Sequence, residues 1–170
     1  MKVVGIDPGK SGGLALCEDG EVKEVIPMPT YLTEKTKNKK AKEMVDFVAV
    51  GKFIKKHNPE VVYIERVGAM PGQGTVSMFS FGWSTGGLHG VCGALEIPVK
   101  LVGPRAWQKE LMGDATHEKD DTINFVQTKW PTLCLLATKR SKKPHDGMAD
   151  ASAISFYGFK TDTISINKEE

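Results

Sequence analysis

The stretch MKVVGIDPGKSGG, residues 1–13, decides the fold that we predict for this chain. Residues 3–6, VVGI, are mostly β-branched, which is typical of a buried strand, and Asp7 follows at the C-terminal end of that strand. Pro8 and Gly9 then end the strand, because proline lacks an amide donor and glycine permits a turn. The Asp7 carboxylate is therefore predicted to lie at a strand tip, where it can face a ligand or solvent.

Two more strands are predicted directly after this turn. Residues 13–17, GLALC, and residues 21–26, EVKEVI, have the composition of strands, and Asp19-Gly20 between them is a typical hairpin turn. The chain is therefore predicted to open as a three-stranded antiparallel meander.

A second acid at a strand tip is predicted at Glu65. Apolar residues of the segment 42–57 approximate helical spacing, and Asn58-Pro59 ends that helix. The β-branched run 61–64 follows the helix, so we expect it to pair parallel to the first strand. Parallel neighbours would bring Asp7 and Glu65 side by side.

Two segments between these landmarks have unusual compositions. Residues 28–42 predict a mobile basic loop, for which a solvated surface and a DNA contact are equally good interpretations; its lysines are Lys35, Lys37, Lys39, Lys40 and Lys42. Residues 68–93 contain eight glycines, and a spacing of four predicts one smooth helix face that packs closely on another element, formed by Gly82, Gly86 and Gly90. The aromatic residues there are interpreted first as core, with base stacking as the alternative: Phe79, Phe81 and Trp83.

The C-terminal half completes an α/β fold. We predict a strand over 97–102, a helix from Pro104, a helical segment over 116–130 and a small-residue helix from His145. In that last helix Asp146 and Asp150 lie one turn apart on a single face. The expected architecture is one domain over residues 1–170, with a five-stranded mixed sheet, a three-stranded antiparallel meander plus two parallel strands, flanked by helices.

Composition limits the possible partners. The formal net charge is only +2, so a polyanion site must come from local basic clusters, for which the candidates are Arg105, Lys109, Lys139, Arg140, Lys142 and Lys143. The three cysteines show neither disulfide nor zinc spacing, which favours a reducing compartment. No apolar run is long enough to cross a membrane, so we expect a soluble, unexported protein. Four clustered carboxylates without a Cys or His ligand set suit Mg²⁺ or Mn²⁺.

Several motifs resemble one known family. The stretches GIDPGKSGGLAL around Asp7, YIERV around Glu65 and HDGMADASAI around the last two acids resemble the RuvC-type Holliday junction resolvases of the ribonuclease H-like superfamily. FSFGWSTGGLHGVCGAL and VKLVGPRAWQKELMG are similar to its phage-encoded and organellar members. Bacterial members space the last two acids three apart, whereas here they are four apart, so Asp150 carries over more securely than Asp146 and His145 is a possible participant.

The resemblance implies a metal-dependent endonuclease that cuts four-way junctions, flaps and other branched DNA, leaving 5′-phosphate and 3′-hydroxyl ends. It implies catalytic and metal-binding roles for Asp7, Glu65, Asp146 and Asp150 around two ions, DNA contacts by the basic clusters with Phe79 and Phe81, and a homodimer. No membrane and no small-molecule cofactor are implied, and the expected location is the cytoplasm of a bacterial or phage-infected host cell. Two alternatives stay open: a catalytically silent junction-binding protein, and an actin-like nucleotide binder, which usually needs far more chain.

Overall fold

The computed structural model describes residues 1–37, 40–68 and 72–166. The strands are β1 (Lys2–Asp7), β2 (Gly13–Glu18), β3 (Glu21–Pro27), β4 (Thr30–Leu32), β5 (Glu43–Val45), β6 (Val61–Glu65) and β7 (Val99–Val102). The helices are α1 (Phe47–His57), α2 (Thr75–Ala94), α3 (Pro104–Met112), α4 (Lys119–Lys129) and α5 (Asp146–Ile166). No helix in these ranges is long and apolar enough to span a membrane.

A five-stranded sheet in the order β3-β2-β1-β6-β7 forms the centre of the molecule. The meander β1-β2-β3 is antiparallel, and β6 pairs parallel with both β1 and β7. Asp19 and Gly20 both have positive φ, 50° and 84°, as the tight hairpin turn between β2 and β3 requires. The predicted mixed sheet is therefore confirmed.

Helices cover both faces of this sheet. Val4, Ile6, Val62 and Ile64 pack in one buried cluster with side chains of α1 and α2. Side chains alternate along a strand, so the intervening residues of β1 and β6 face the other way, toward α5 with α3 and α4 beside it. The residues that follow Ile6 and Ile64, Asp7 and Glu65, belong to this second face.

The helix α5 lies close to β1 because small residues meet at their contact. A Cβ atom on Gly5 would clash with the backbone of Ala151 and Ser155, both of which are fully buried. Such backbone contact leaves little freedom for the helix to slide over the sheet.

The predictions for residues 28–57 need correction. The helix begins at Phe47 rather than near Lys42, because the Asp46 carboxylate caps it by accepting hydrogen bonds from the N–H groups of Val48 and Ala49, each at 3.0 Å. The preceding segment is not simply a mobile loop, since β4 and β5 pair as an antiparallel hairpin. Lys39, expected in that loop, lies outside the described residues.

Two other helix and strand starts differ from expectation. The helix α4 begins at Lys119 rather than Thr116, because Glu118 and Asp121 form a reciprocal capping box there. β7 begins at Val99 rather than Ile97. Cys17 and Cys92 are buried, whereas Cys134 is exposed.

Candidate active site

Asp7 and Glu65 occupy equivalent positions on neighbouring strands. β1 and β6 pair in parallel up to Ile6 and Ile64, and the two acids are the next residue on each strand. They therefore lie side by side on the face of the sheet that α5 covers, as the sequence predicted.

Glycine backbone contacts hold the start of α5 against the turn after β1. A Cβ on Gly147 would collide with the backbone of Ser11 and Gly12, and one on Gly13 would collide with the backbone of Gly147. No side chain separates the two segments at this point. The separation between Asp7 and the first turn of α5 is thus set by main-chain packing.

Asp7, Asp146 and Asp150 line one cavity of about 790 Å³. The turn after β1 forms its floor with residues 8–12, and the remaining walls come from β5 and from α2, including Phe81 and Ser84. The predicted helical spacing thus does bring both acids of α5 to the same cavity as Asp7.

Glu65 is held differently from the other three acids. Its Oε1 accepts a hydrogen bond of 3.0 Å from Nε1 of Trp107, a residue of α3 that is only 1% exposed. Burial raises the pKa of Glu65 above its usual value, and the bond from Trp107 opposes that rise. Glu65 is not among the residues that line the cavity, so the structure brings three of the four predicted acids together there and places the fourth on the adjacent strand.

His145 acts as the cap of α5. Its ring Nδ1 accepts a hydrogen bond of 3.2 Å from the backbone N–H of Met148. Its own backbone N–H donates to the carbonyl of Leu135 at 2.8 Å. This use of Nδ1 as acceptor places the ring proton of a neutral imidazole on Nε2. The ring does not line the cavity.

The carboxylates suit a hard divalent cation by their chemistry. Asp7, Asp146 and Asp150 offer only oxygen ligands, which Mg²⁺ and Mn²⁺ prefer. Within residues 1–37, 40–68 and 72–166, however, no three Asp, Glu, His or Cys side chains already converge in the geometry of a metal centre. By its chemistry, the oxygen donor set nevertheless fits such a cation.

The predicted basic residues are exposed in two places. Arg105 and Lys109 line a separate, polar cavity of about 430 Å³ at α3, where Nζ of Lys109 also pairs with Asp114 at 2.8 Å. The other cluster lies in the loop that leads into α5, with every member exposed: Lys139, Arg140, Lys142 and Lys143.

The core interpretation of the α2 aromatic residues is wrong. Phe79 is 72% exposed and Trp83 is 53% exposed, and their ring centroids lie 6.4 Å apart on the surface. Phe81 is 38% exposed and contributes to the cavity that holds the acids. Within the described chain nothing packs on the smooth glycine face, since added Cβ atoms at Gly82, Gly86 and Gly90 would meet open space. Gly87 packs closely instead, against Phe47.

Two parts of the site were missed from the sequence. The β5 residues 43–45 form a wall of the cavity, although their lysine-rich surroundings indicated a loop. The contact of Trp107 with Glu65 was also missed. The sequence feature that could have indicated it is a tryptophan on the apolar side of the short helix after β7.

Comparisons with known proteins identify the family and agree with the fold. The family model of the crossover junction endodeoxyribonuclease RuvC matches residues 3–157. The structure of Thermus thermophilus RuvC is similar with a TM-score of 0.61 and 18% identity over 97% of each chain. The same protein in complex with a Holliday junction substrate gives a TM-score of 0.61 and 19% identity over 97% of this chain and 96% of the other. No curated protein sequence matches this chain closely enough to count as a relative.

Proposed function

Because the chain belongs to the family of RuvC crossover junction endodeoxyribonucleases, with the ribonuclease H-like fold, we propose that it resolves Holliday junctions by paired nicks at the cavity that Asp7, Asp146 and Asp150 line. That shared cavity is the observation that carries the assignment of the site. Family membership makes the protein a junction-resolving nuclease. Other branched DNA, such as flaps, is included in the proposed substrate class.

In the proposed mechanism, four carboxylates hold divalent cations. Asp7, Glu65, Asp146 and Asp150 would bind two Mg²⁺ or Mn²⁺ ions, which supply an activated water and neutralise charge on the leaving 3′ oxygen when bound. Asp7 and the two acids of α5 set the position of the cleaved phosphate, because the glycine contacts beneath them fix their backbones. Trp107 helps to keep Glu65 ionised by donating to its Oε1.

The basic residues contribute affinity for the DNA backbone in this proposal. The exposed cluster from Lys139 to Lys143 ends three residues before Asp146, so phosphates drawn to it lie close to the acids. Arg105 and Lys109 extend the positive surface at α3. Phe81, at the cavity, and Phe79 offer exposed rings on which an unpaired base can stack.

We further propose that two copies pair through α2. The glycine face of this helix is open, and the exposed rings of Phe79 and Trp83 lie on the same helix. A two-fold dimer would bury this apolar surface and present two sites to opposed strands.

A cytoplasmic location fits the two buried thiols of Cys17 and Cys92, which are free rather than paired.

The decisive experiment is incubation with a synthetic four-way junction, a flap and a linear duplex in Mg²⁺, Mn²⁺ or EDTA. The wild-type protein should nick the junction symmetrically with metal and not in EDTA. Asp7→Asn should abolish cutting and retain junction binding, because the amide keeps the shape but not the charge. Asp120→Asn, an exposed acid on α4, is the matched control and should cut normally. Junction binding by the wild type without any cutting would favour the silent-binder alternative instead.

A further inference from the structure

We propose that the hairpin of β4 and β5, with the described residues 30–37 and 40–45, is a second DNA-binding surface that contacts the phosphates of a duplex arm beside the cavity. We call it the hairpin arm. This inference rests on the proposed function, since it takes branched DNA as the substrate.

The base of the hairpin arm is fixed to the core. Val45 and Met28 are 3% and 4% exposed and belong to the buried cluster under α1 and α2. Further out, the N–H of Thr33 donates to the carbonyl of Lys42 at 2.8 Å, and the N–H of Lys42 donates to Oγ1 of Thr33 at 2.9 Å. Up to Thr33 and Lys42 the arm is therefore a hydrogen-bonded hairpin rather than a solvated loop.

The hairpin arm begins at the cavity itself. Residues 43–45 line the cavity together with Asp7 and the acids of α5. At about 3.3 Å per strand residue, Lys42 lies about 10 Å along the arm from Val45. Lys42 directly precedes Glu43 and so adjoins the cavity wall, and the other arm lysines lie further out toward the tip of the hairpin.

The hairpin arm carries positive charges that acids among the described residues do not neutralise. The lysine side chains are all exposed, and none of them forms an ion pair with another described residue: Lys35, Lys37, Lys40 and Lys42. Glu43, the acid of the arm that lines the cavity, already forms an ion pair with Lys10 at 3.7 Å. It also accepts a hydrogen bond of 2.9 Å from the hydroxyl of Thr30. Glu34 is the other acid of the arm. Such an excess of unpaired positive charge is complementary to the phosphate backbone.

The hairpin arm also lies on the opposite side of the sheet from the other basic loop. Its base packs with α1 and α2, whereas the loop of Lys139–Lys143 precedes α5 and packs, through Leu135, on the other face. A duplex seated over the cavity would meet positive charge from both faces. The hairpin arm thus gives the site a second set of phosphate contacts.

The test uses two triple variants of the full chain. The arm variant is Lys35→Gln, Lys37→Gln and Lys42→Gln, and the matched control replaces three exposed lysines away from the arm, Lys23→Gln, Lys52→Gln and Lys55→Gln. Binding to a long-armed four-way junction is measured in EDTA at several salt concentrations. If each arm lysine neutralises one phosphate, the slope of log affinity against log salt should become shallower by up to about 2.7 in the arm variant and stay unchanged in the control.

A second measurement locates the contact. Ethylation interference, scanned one phosphate at a time along the duplex arm beside the cut, should show positions that weaken binding of the wild type but not of the arm variant. Equal salt slopes for the arm variant and the wild type, with equal melting temperatures, would overturn the proposal while leaving junction cleavage intact. A wild-type protein that neither binds nor cuts junctions would overturn both this proposal and the proposed function.

Discussion

Replacing Trp107 with phenylalanine tests whether its hydrogen bond favours the ionised form of Glu65. The change removes the indole N–H that lies 3.0 Å from Oε1 of Glu65 and keeps an aromatic ring in the core. A hydrogen bond to a charged group contributes about 1.5 to 3 kcal/mol, so the metal-free variant should lose roughly that free energy of unfolding at pH 7.5, beyond the packing cost of the smaller ring.

The pH dependence separates the hydrogen bond from the packing cost. Burial already raises the pKa of Glu65 above its usual 4.5, so ionising it opposes folding, and this penalty is absent below pH 4.5 and grows as pH rises through the folded-state pKa. Loss of the Trp107 bond raises that pKa further. The destabilisation by Trp107→Phe should therefore be larger at pH 7.5 than at pH 4.5, whereas a pure packing loss is the same at both.

Urea unfolding in EDTA, with Glu65→Gln and the double variant completing a mutant cycle, measures the coupling directly. A coupling below about 0.5 kcal/mol at pH 7.5, or an equal loss at both pH values, would refute the reasoning. Mn²⁺ titration by calorimetry gives a second readout, since losing a hydrogen bond that orients a ligand weakens metal affinity by about 10 to 100-fold.

Further changes probe the rest of the site. Asp150→Asn should abolish junction cleavage as completely as Asp7→Asn while both still bind the junction in EDTA; cutting near the wild-type rate by either one would remove that residue from the mechanism. His145→Ala should lose about 1 kcal/mol in urea unfolding through the missing cap and cut faster than Asp150→Asn; a nuclease-dead but fully stable variant would instead give the imidazole a chemical role. Gly147→Ala should cost about 1 to 3 kcal/mol and most of the activity, because its Cβ meets backbone on the turn after β1. Gly86→Leu should make the protein monomeric in sedimentation while it stays folded by circular dichroism, and a persistent dimer would place the interface elsewhere.

Local patterns were sufficient for most of the fold and part of the site. β-branched composition and turn residues predicted the sheet, and the side-by-side placement of Asp7 and Glu65 followed from it because parallel strands end at the same edge. The i, i+4 spacing likewise placed Asp146 and Asp150 on one face, and both line the cavity. These inferences depend only on backbone geometry that neighbouring residues determine.

The parts that failed depend on contacts distant in sequence. The lysine-rich composition around β5 indicated a loop, although Met28 and Val45 anchor the base of the hairpin arm in the core. The bond between Trp107 and Glu65 requires the packing of α3 on the sheet, which no local pattern reports. Aromatic content suggested core for Phe79, yet whether such a ring is buried depends on what lies opposite it.

The distribution of the acids along the chain has a consequence for synthesis. Asp7 is made first, and Asp146 and Asp150 follow only with α5, the helix that also covers β1. A growing chain that has not yet released residues 146–166 from the ribosome carries an incomplete set of acids and an uncovered sheet face. In the proposed mechanism, cutting ability therefore arises in one late step, together with the burial that completes the fold.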